Sequence, residues 1–124
     1  MRVKIFGIKF TVSYLFCAVL CIMILCDRTG LFIPMILAVL IHECGHLVLM
    51  WIFDCAPTEI KLIPGSVQIC APVCDTKPTV MISLAGPLAN LVVFSVVFIS
   101  CAVLKDGYNL PFALANLVYG ASNL

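Results

Sequence analysis

The chain alternates long apolar runs with short polar breaks. One run extends from Phe10 to Cys26, a second from Leu31 to Phe53 and a third from Val80 to Leu104; from Asn109 the chain turns apolar again and continues so to Leu124. A helix needs about 20 apolar residues, at about 1.5 Å each, to cross the hydrocarbon of a bilayer. The pattern therefore predicts three full transmembrane helices and the start of a fourth. The expected fold class is an all-α polytopic membrane protein, one membrane-embedded domain over residues 1–124 that is incomplete at its C-terminal end. The breaks read as turns: Asp27-Arg28-Thr29-Gly30 between the first two runs, and Lys105-Asp106-Gly107 after the third.

The extended polar segment runs from Asp54 to Thr79. It carries Pro57, Pro64, Pro72 and Pro78, which exclude a continuous helix. Within it Glu59-Ile60-Lys61-Leu62-Ile63 alternates polar with apolar, Pro64-Gly65 is a turn signal, and Ser66-Val67-Gln68-Ile69 alternates again. A short β-hairpin at the membrane surface, between helices two and three, satisfies that pattern; so does an ordinary surface loop. The exposed edge of such a hairpin could pair with an extended peptide by strand addition.

Composition strengthens the membrane reading. The chain is 64% hydrophobic and 10% charged, with a mean hydropathy of +1.22, too little polar sequence to cover a soluble domain. A net charge of +1 implies no nucleic-acid partner. Arg2, Lys4 and Lys9 precede the first run without an acid among them, which places the N-terminus in the cytoplasm. A basic start before an apolar core also describes a signal peptide, but no small-x-small cleavage site precedes Asp27. Of the eight cysteines, Cys17, Cys21, Cys26, Cys44 and Cys101 lie in apolar spans and read as small hydrophobes. No disulfide framework is expected. Cys55, Cys70 and Cys74 fall in the polar segment, where Cys70-x-x-x-Cys74 is only a weak metal signal.

The chemistry concentrates in the second run, at His42-Glu43-Cys44-Gly45-His46. Positions i and i+4 of a helix share a face, so His42 and His46 can turn two imidazoles toward one zinc ion, with Glu43 beside them as a general base. These are the chain's two histidines, and Glu43 is the acid that lies within an apolar span. A charged side chain at such depth costs roughly 2.5–3.5 kcal/mol on insertion scales, which a metal or a wet pocket would offset. The plain alternatives are a chance match or two helix-packing histidines. Asn90, polar within the third run, either bonds a neighbouring helix or lines the same pocket.

These residues resemble the site-2 protease family of intramembrane zinc metalloproteases. The resemblance rests on His42-Glu43-Cys44-Gly45-His46, the Pro64-Gly65 region, and Ser83-Leu84-Ala85-Gly86-Pro87-Leu88-Ala89-Asn90 at the opening of the third run. It is similar to the compact bacterial branch, which includes the protease that processes a sporulation sigma factor. The resemblance implies a multi-pass protein of a bacterial cell membrane; with the N-terminus in the cytoplasm the second run ends there near Asp54, and His46, about two turns from that end, puts the site toward the cytoplasmic face. It implies one Zn2+ per site held by His42, His46 and an Asp, with Glu43 as the catalytic base, and hydrolysis of peptide bonds in or near transmembrane segments of membrane-bound substrates. Some relatives work with a regulatory membrane partner. The family's Asp lies in an Asn-x-x-Pro…Asp-Gly motif; Asn123 matches its first residue, and Asp54, Glu59, Asp75 and Asp106 do not match the Asp. Two readings compete with the enzyme: an inactive or truncated relative that binds membrane segments without cutting them, and a small metal carrier.

Overall fold

A computed structural model describes residues 2–5, 7–64, 66–72 and 75–124. Gly65 and Cys74, named above, lie outside the described residues. The chain orders as β1 (Arg2–Ile5), β2 (Ile8–Val12), α1 (Tyr14–Cys26), α2 (Phe32–Ile52), β3 (Glu59–Ile63), β4 (Ser66–Cys70), α3 (Thr76–Leu104) and α4 (Leu110–Ser122). Helices dominate, but the class is not all-α. The strands form one sheet in the order β1-β2-β3-β4. The outer pairs are antiparallel, with Lys4 opposite Lys9 and Lys61 opposite Gln68, while β2 runs parallel to β3 with Lys9 opposite Glu59.

The sheet corrects the first predicted span. Residues 10–12 belong to β2 rather than to a helix, because they pair in register with residues 60–62 of β3; on either side of them the Lys9 N–H donates to the Thr58 carbonyl at 3.1 Å and the Ser13 N–H to the Leu62 carbonyl at 3.0 Å. Helix α1 is left with 13 residues, about 20 Å of length, short of the roughly 30 Å of a bilayer core. By length and composition two helices, α2 with 21 residues and α3 with 29, suffice to cross a membrane. So the described residues hold two long apolar helices and two short ones, where the sequence predicts three full spans.

Each helix ends where its chemistry says it should. Asp27 terminates α1 and caps α2: its Oδ1 accepts from the Thr29 and Gly30 N–H groups, both at 3.0 Å, and its Oδ2 from the Phe32 N–H at 3.0 Å. An anion among the first amides of a helix complements the helix dipole. At the far end of α2, Asp54 takes a left-handed conformation (φ 52°). The Cys55 N–H then reaches back to the Met50 carbonyl at 2.8 Å and the Asp54 N–H to that of Trp51 at 3.3 Å, the pairing of a Schellman cap. Cys55, buried just past that cap, is disulfide-bonded, a bridge that the sequence reading, which expects no disulfide framework, does not include. Helix α3 starts four residues before Val80, and Pro78 falls in its first turn, where a missing N–H costs nothing.

The core lies between α2, α3 and α4, and it is built of small and polar residues. Ala38 and His42 are buried on α2, Ile82, Gly86, Pro87 and Asn90 on α3, and Ala113, Asn116 and Gly120 on α4. Two glycines set the helix spacing. A Cβ on Gly45 would stand 2.6 Å from the Ala85 carbonyl oxygen, and one on Gly120 would stand 3.1 Å from the Asn90 Cβ. Backbones this close are the packing mode of membrane helices, where small residues replace interlocking bulky ones. The large apolar side chains point outward instead: Leu25 is 84% exposed and Leu104 is 74% exposed, whereas Asn90 and Asn116 are fully buried.

Candidate metal centre

His42 and His46 project from the face of α2 that packs on α3, one turn apart, as the i, i+4 spacing predicts. Their rings meet edge to face with centroids 4.7 Å apart. Both Nε2 atoms lie within 2.8 Å of the point where a Cβ on Gly86 would sit. Gly86 thus leaves a hollow in α3, and the two Nε2 atoms converge on it. The next residue, Pro87, lies inside the helix and cannot donate to the Ser83 carbonyl, which relaxes the backbone at this level.

The His46 ring is held from behind. Its Nδ1–H donates to the Ile82 carbonyl at 2.6 Å. A carbonyl only accepts, so Nδ1 carries the proton and Nε2 presents its lone pair to the hollow. This is the arrangement of a metal-ligating histidine, whose other ring nitrogen is pinned to a backbone carbonyl or carboxylate. On His42, Nδ1 faces the Asn90 amide at 3.5 Å, and the ring edge meets Tyr119 of α4 with centroids 5.0 Å apart. The two alternatives for Asn90 thus merge: it sits on a neighbouring helix and belongs to the histidine pocket. Glu43 follows His42 on the same helix and is half-buried; three residues from His46, it shares that side of α2.

The donor set suits zinc in kind. Neutral imidazole nitrogens bind it at about 2.0–2.1 Å in a tetrahedral arrangement, and a shared hollow is where such an ion would sit. The pair supplies two of the four positions. Among the described residues no group of three His, Cys, Asp or Glu side chains comes together. The other acids sit elsewhere in the fold. Asp54 ends α2, Asp75 is the N-cap of α3, and Asp106 accepts from the Tyr108 N–H at 2.9 Å. Glu59 accepts from the Thr11 hydroxyl at 3.1 Å and pairs with Lys61 at 3.4 Å, binding β2 to β3.

Sequence reasoning passed over three participants. The Ile82 carbonyl is a backbone group and has no sequence signature. Gly86 was visible as half of a Gly-Pro pair, but its role as the floor of the hollow needs the packing of α3 on α2. Tyr119 sat inside an apolar run like any core aromatic. It also lines an apolar groove of about 350 Å³ with Leu31, Met35, Pro111, Leu114 and Val118, so the groove opens beside the imidazole pair.

No protein-family model matches the chain, and no curated protein matches it. Among solved structures, the site-2 protease from Methanocaldococcus jannaschii is similar, with 24% identity, a TM-score of 0.72, and coverage of 100% of this chain and 63% of that one. The chain therefore has the fold of that protease and spans about 63% of its length.

Proposed function

We propose that the chain is a site-2 protease family member, the zinc-binding membrane domain of an intramembrane endopeptidase that cuts peptide bonds in or near transmembrane segments. The observation that carries this reading is the convergence of the His42 and His46 Nε2 atoms on the hollow at Gly86, with the His46 Nδ1–H held by the Ile82 carbonyl. Chance or helix-packing histidines would not need one ring pinned in the tautomer a metal requires. The shared fold supports the same conclusion.

When bound, zinc would supply Lewis acidity to the attacking water and the scissile carbonyl. The chain's own residues do the rest. His42 and His46 orient the site. Glu43 takes a proton from the attacking water and returns it to the leaving amine, as a general base that then acts as general acid. The apolar walls of α2, α3 and α4 restrict water to the pocket. The sheet gives the substrate a place to be straightened: β4 is an edge strand, and an extended peptide could add to it before its backbone reaches the metal. The substrate would be a membrane-bound protein, the setting a lipid bilayer, and the site would lie toward the cytoplasmic face with the sheet, N-terminus included, on that side.

The test is zinc content of the purified full chain beside a His46→Ala variant. About one zinc per chain, lost in the variant, is expected; no zinc in the parent chain overturns the reading. Glu43→Gln should keep zinc and abolish cleavage of a membrane-bound substrate. A second reading, a fold that binds membrane segments without cutting them, is favoured by the two-ligand donor set. It predicts that Glu43→Gln changes nothing.

A further inference from the structure

We propose that Asn90 is a positioning residue: its amide oxygen accepts the Nδ1–H of His42 and so holds that ring with Nε2 free for a metal ion. The proposal rests on the zinc-site reading above and concerns how the second ligand is prepared.

The two histidines reach the same hollow but are backed differently. His46 is fixed by a backbone carbonyl, an acceptor with no alternative role. His42 has no carbonyl behind it among the described hydrogen bonds; its Nδ1 faces one side chain, Asn90, at 3.5 Å. Asn90 is fully buried. Its Oδ1 is also buried and has no hydrogen-bond partner. An unpaired amide oxygen inside a helix bundle carries a desolvation cost of about 1–3 kcal/mol.

Two arrangements of this pair exist. With the Asn90 Nδ2 turned to the ring, the amide donates, Nδ1 accepts, and the ring proton must sit on Nε2. That proton would then point into the hollow shared with the His46 Nε2, where it would block a metal. Turning the planar amide by half a rotation exchanges Oδ1 and Nδ2, which differ little in shape. The oxygen then accepts from Nδ1–H, the amide nitrogen takes the oxygen's former place, and both Nε2 atoms present lone pairs. Only the second arrangement matches the state in which His46 is already held.

Two further contacts keep the amide in reach. Gly120 of α4 closes over the Asn90 Cβ, where a Cβ of its own would stand at 3.1 Å, and the Tyr119 ring stands edge-on against His42. Asn90 is thereby locked between α2 and α4. A neutral acceptor also suits an apolar bundle better than the carboxylate that often orients a metal-bound histidine, because it adds no charge to be buried.

The experiment is 15N NMR of the histidine rings in the metal-free full chain, in bilayers, with zinc affinity measured by chelator competition. Wild type is compared with Asn90→Leu, which keeps the bulk and removes the acceptor, and Asn90→Asp, which keeps the acceptor. His42 is expected with its proton on Nδ1 in wild type and Asn90→Asp. In Asn90→Leu the proton should move to Nε2 in a large share of molecules, with zinc affinity falling 10- to 100-fold. A proton on His42 Nε2 in wild type, or an unchanged Nδ1–H in Asn90→Leu, overturns the proposal. If Asn90→Leu does not fold, wild type and Asn90→Asp still decide: a proton on His42 Nε2 in either one overturns it. Absence of zinc from a wild-type chain with His42 Nδ1–H would instead sink the zinc reading, so the two failures are separable.

Discussion

At Gly86 a single methyl group separates an open hollow from a filled one. A Cβ there would stand 2.8 Å from the His42 Nε2 and closer still to that of His46. Gly86→Ala is therefore expected to displace both rings and weaken zinc binding at least about tenfold, a loss comparable to removing an outer-shell partner, while the helical content seen by circular dichroism stays unchanged. An unaltered zinc affinity would mean that the metal does not sit in this hollow. At this scale the sequence is legible where chemistry follows spacing. His42, Glu43 and His46 are readable because a helix of 3.6 residues per turn leaves little freedom in where they point. Asn90 is readable only as a choice between two roles, since whether a buried amide meets a helix or a ligand depends on which helix packs against it. The Ile82 carbonyl is not readable at all, for every residue carries one.

Among the elements, the sheet and the α2–α3 seam decide most. The seam closes on Gly45, whose Cβ would stand 2.6 Å from the Ala85 carbonyl oxygen, a rigid backbone atom. Gly45→Val should therefore cost about 1–3 kcal/mol by forcing the helices apart, measured as a lower midpoint in a detergent-denaturation series; a neutral result would mean that the seam is loose. The sheet carries a pH signature. The Thr11 hydroxyl, and secondarily Lys61, hold the Glu59 carboxyl below its ordinary value of 4.5. A carboxyl lowered on folding stabilises the fold above that ordinary value, and the contribution disappears as the pH falls through the lower, folded value. Protection factors of the β2 and β3 amides, corrected for the intrinsic pH dependence of exchange, should fall on acidification below about 4.5, and Thr11→Val should blunt that fall. The N-terminal strand was available in the sequence: Ile8-Lys9-Phe10-Thr11-Val12-Ser13 alternates apolar and polar, and Gly7 sits at φ 85°, where glycine is favoured. The apolar run from Phe10 onward masks it, because a strand that leads straight into an apolar helix leaves no polar break between them. Nothing local announces its parallel pairing with β3, whose residues lie about fifty positions away.

For the whole molecule, the inversion of burial is the governing fact: Asn90 and Asn116 inside, leucines outside. That arrangement is stable only where the surroundings are as apolar as the side chains facing them. Two cysteines at opposite ends of the elements allow the orientation to be tested. Exposed Cys70 closes β4 on the sheet side, and exposed Cys26 closes α1 at its far end. Variants retaining one of these two exposed cysteines, in inside-out vesicles, should react with an impermeant thiol reagent at Cys70; reaction at Cys26 alone would reverse the orientation. Helix count and membrane class were legible from the spacing of polar breaks, and the error lay in the first helix, whose apolar run is shared between a strand and 13 helical residues. That short helix has a consequence beyond architecture. It begins at the level of the sheet and ends about 20 Å away, while α2 runs about 31 Å from its own start to the sheet. In a bilayer, lipids around α1 would shorten, tilt or draw the headgroups inward, at a cost of fractions of a kcal/mol per Å of mismatch. The protein would carry a thinned patch of bilayer with it, and would respond to membrane thickness as a variable: its thermal midpoint should be higher in vesicles of short-chain lipid than in long-chain ones.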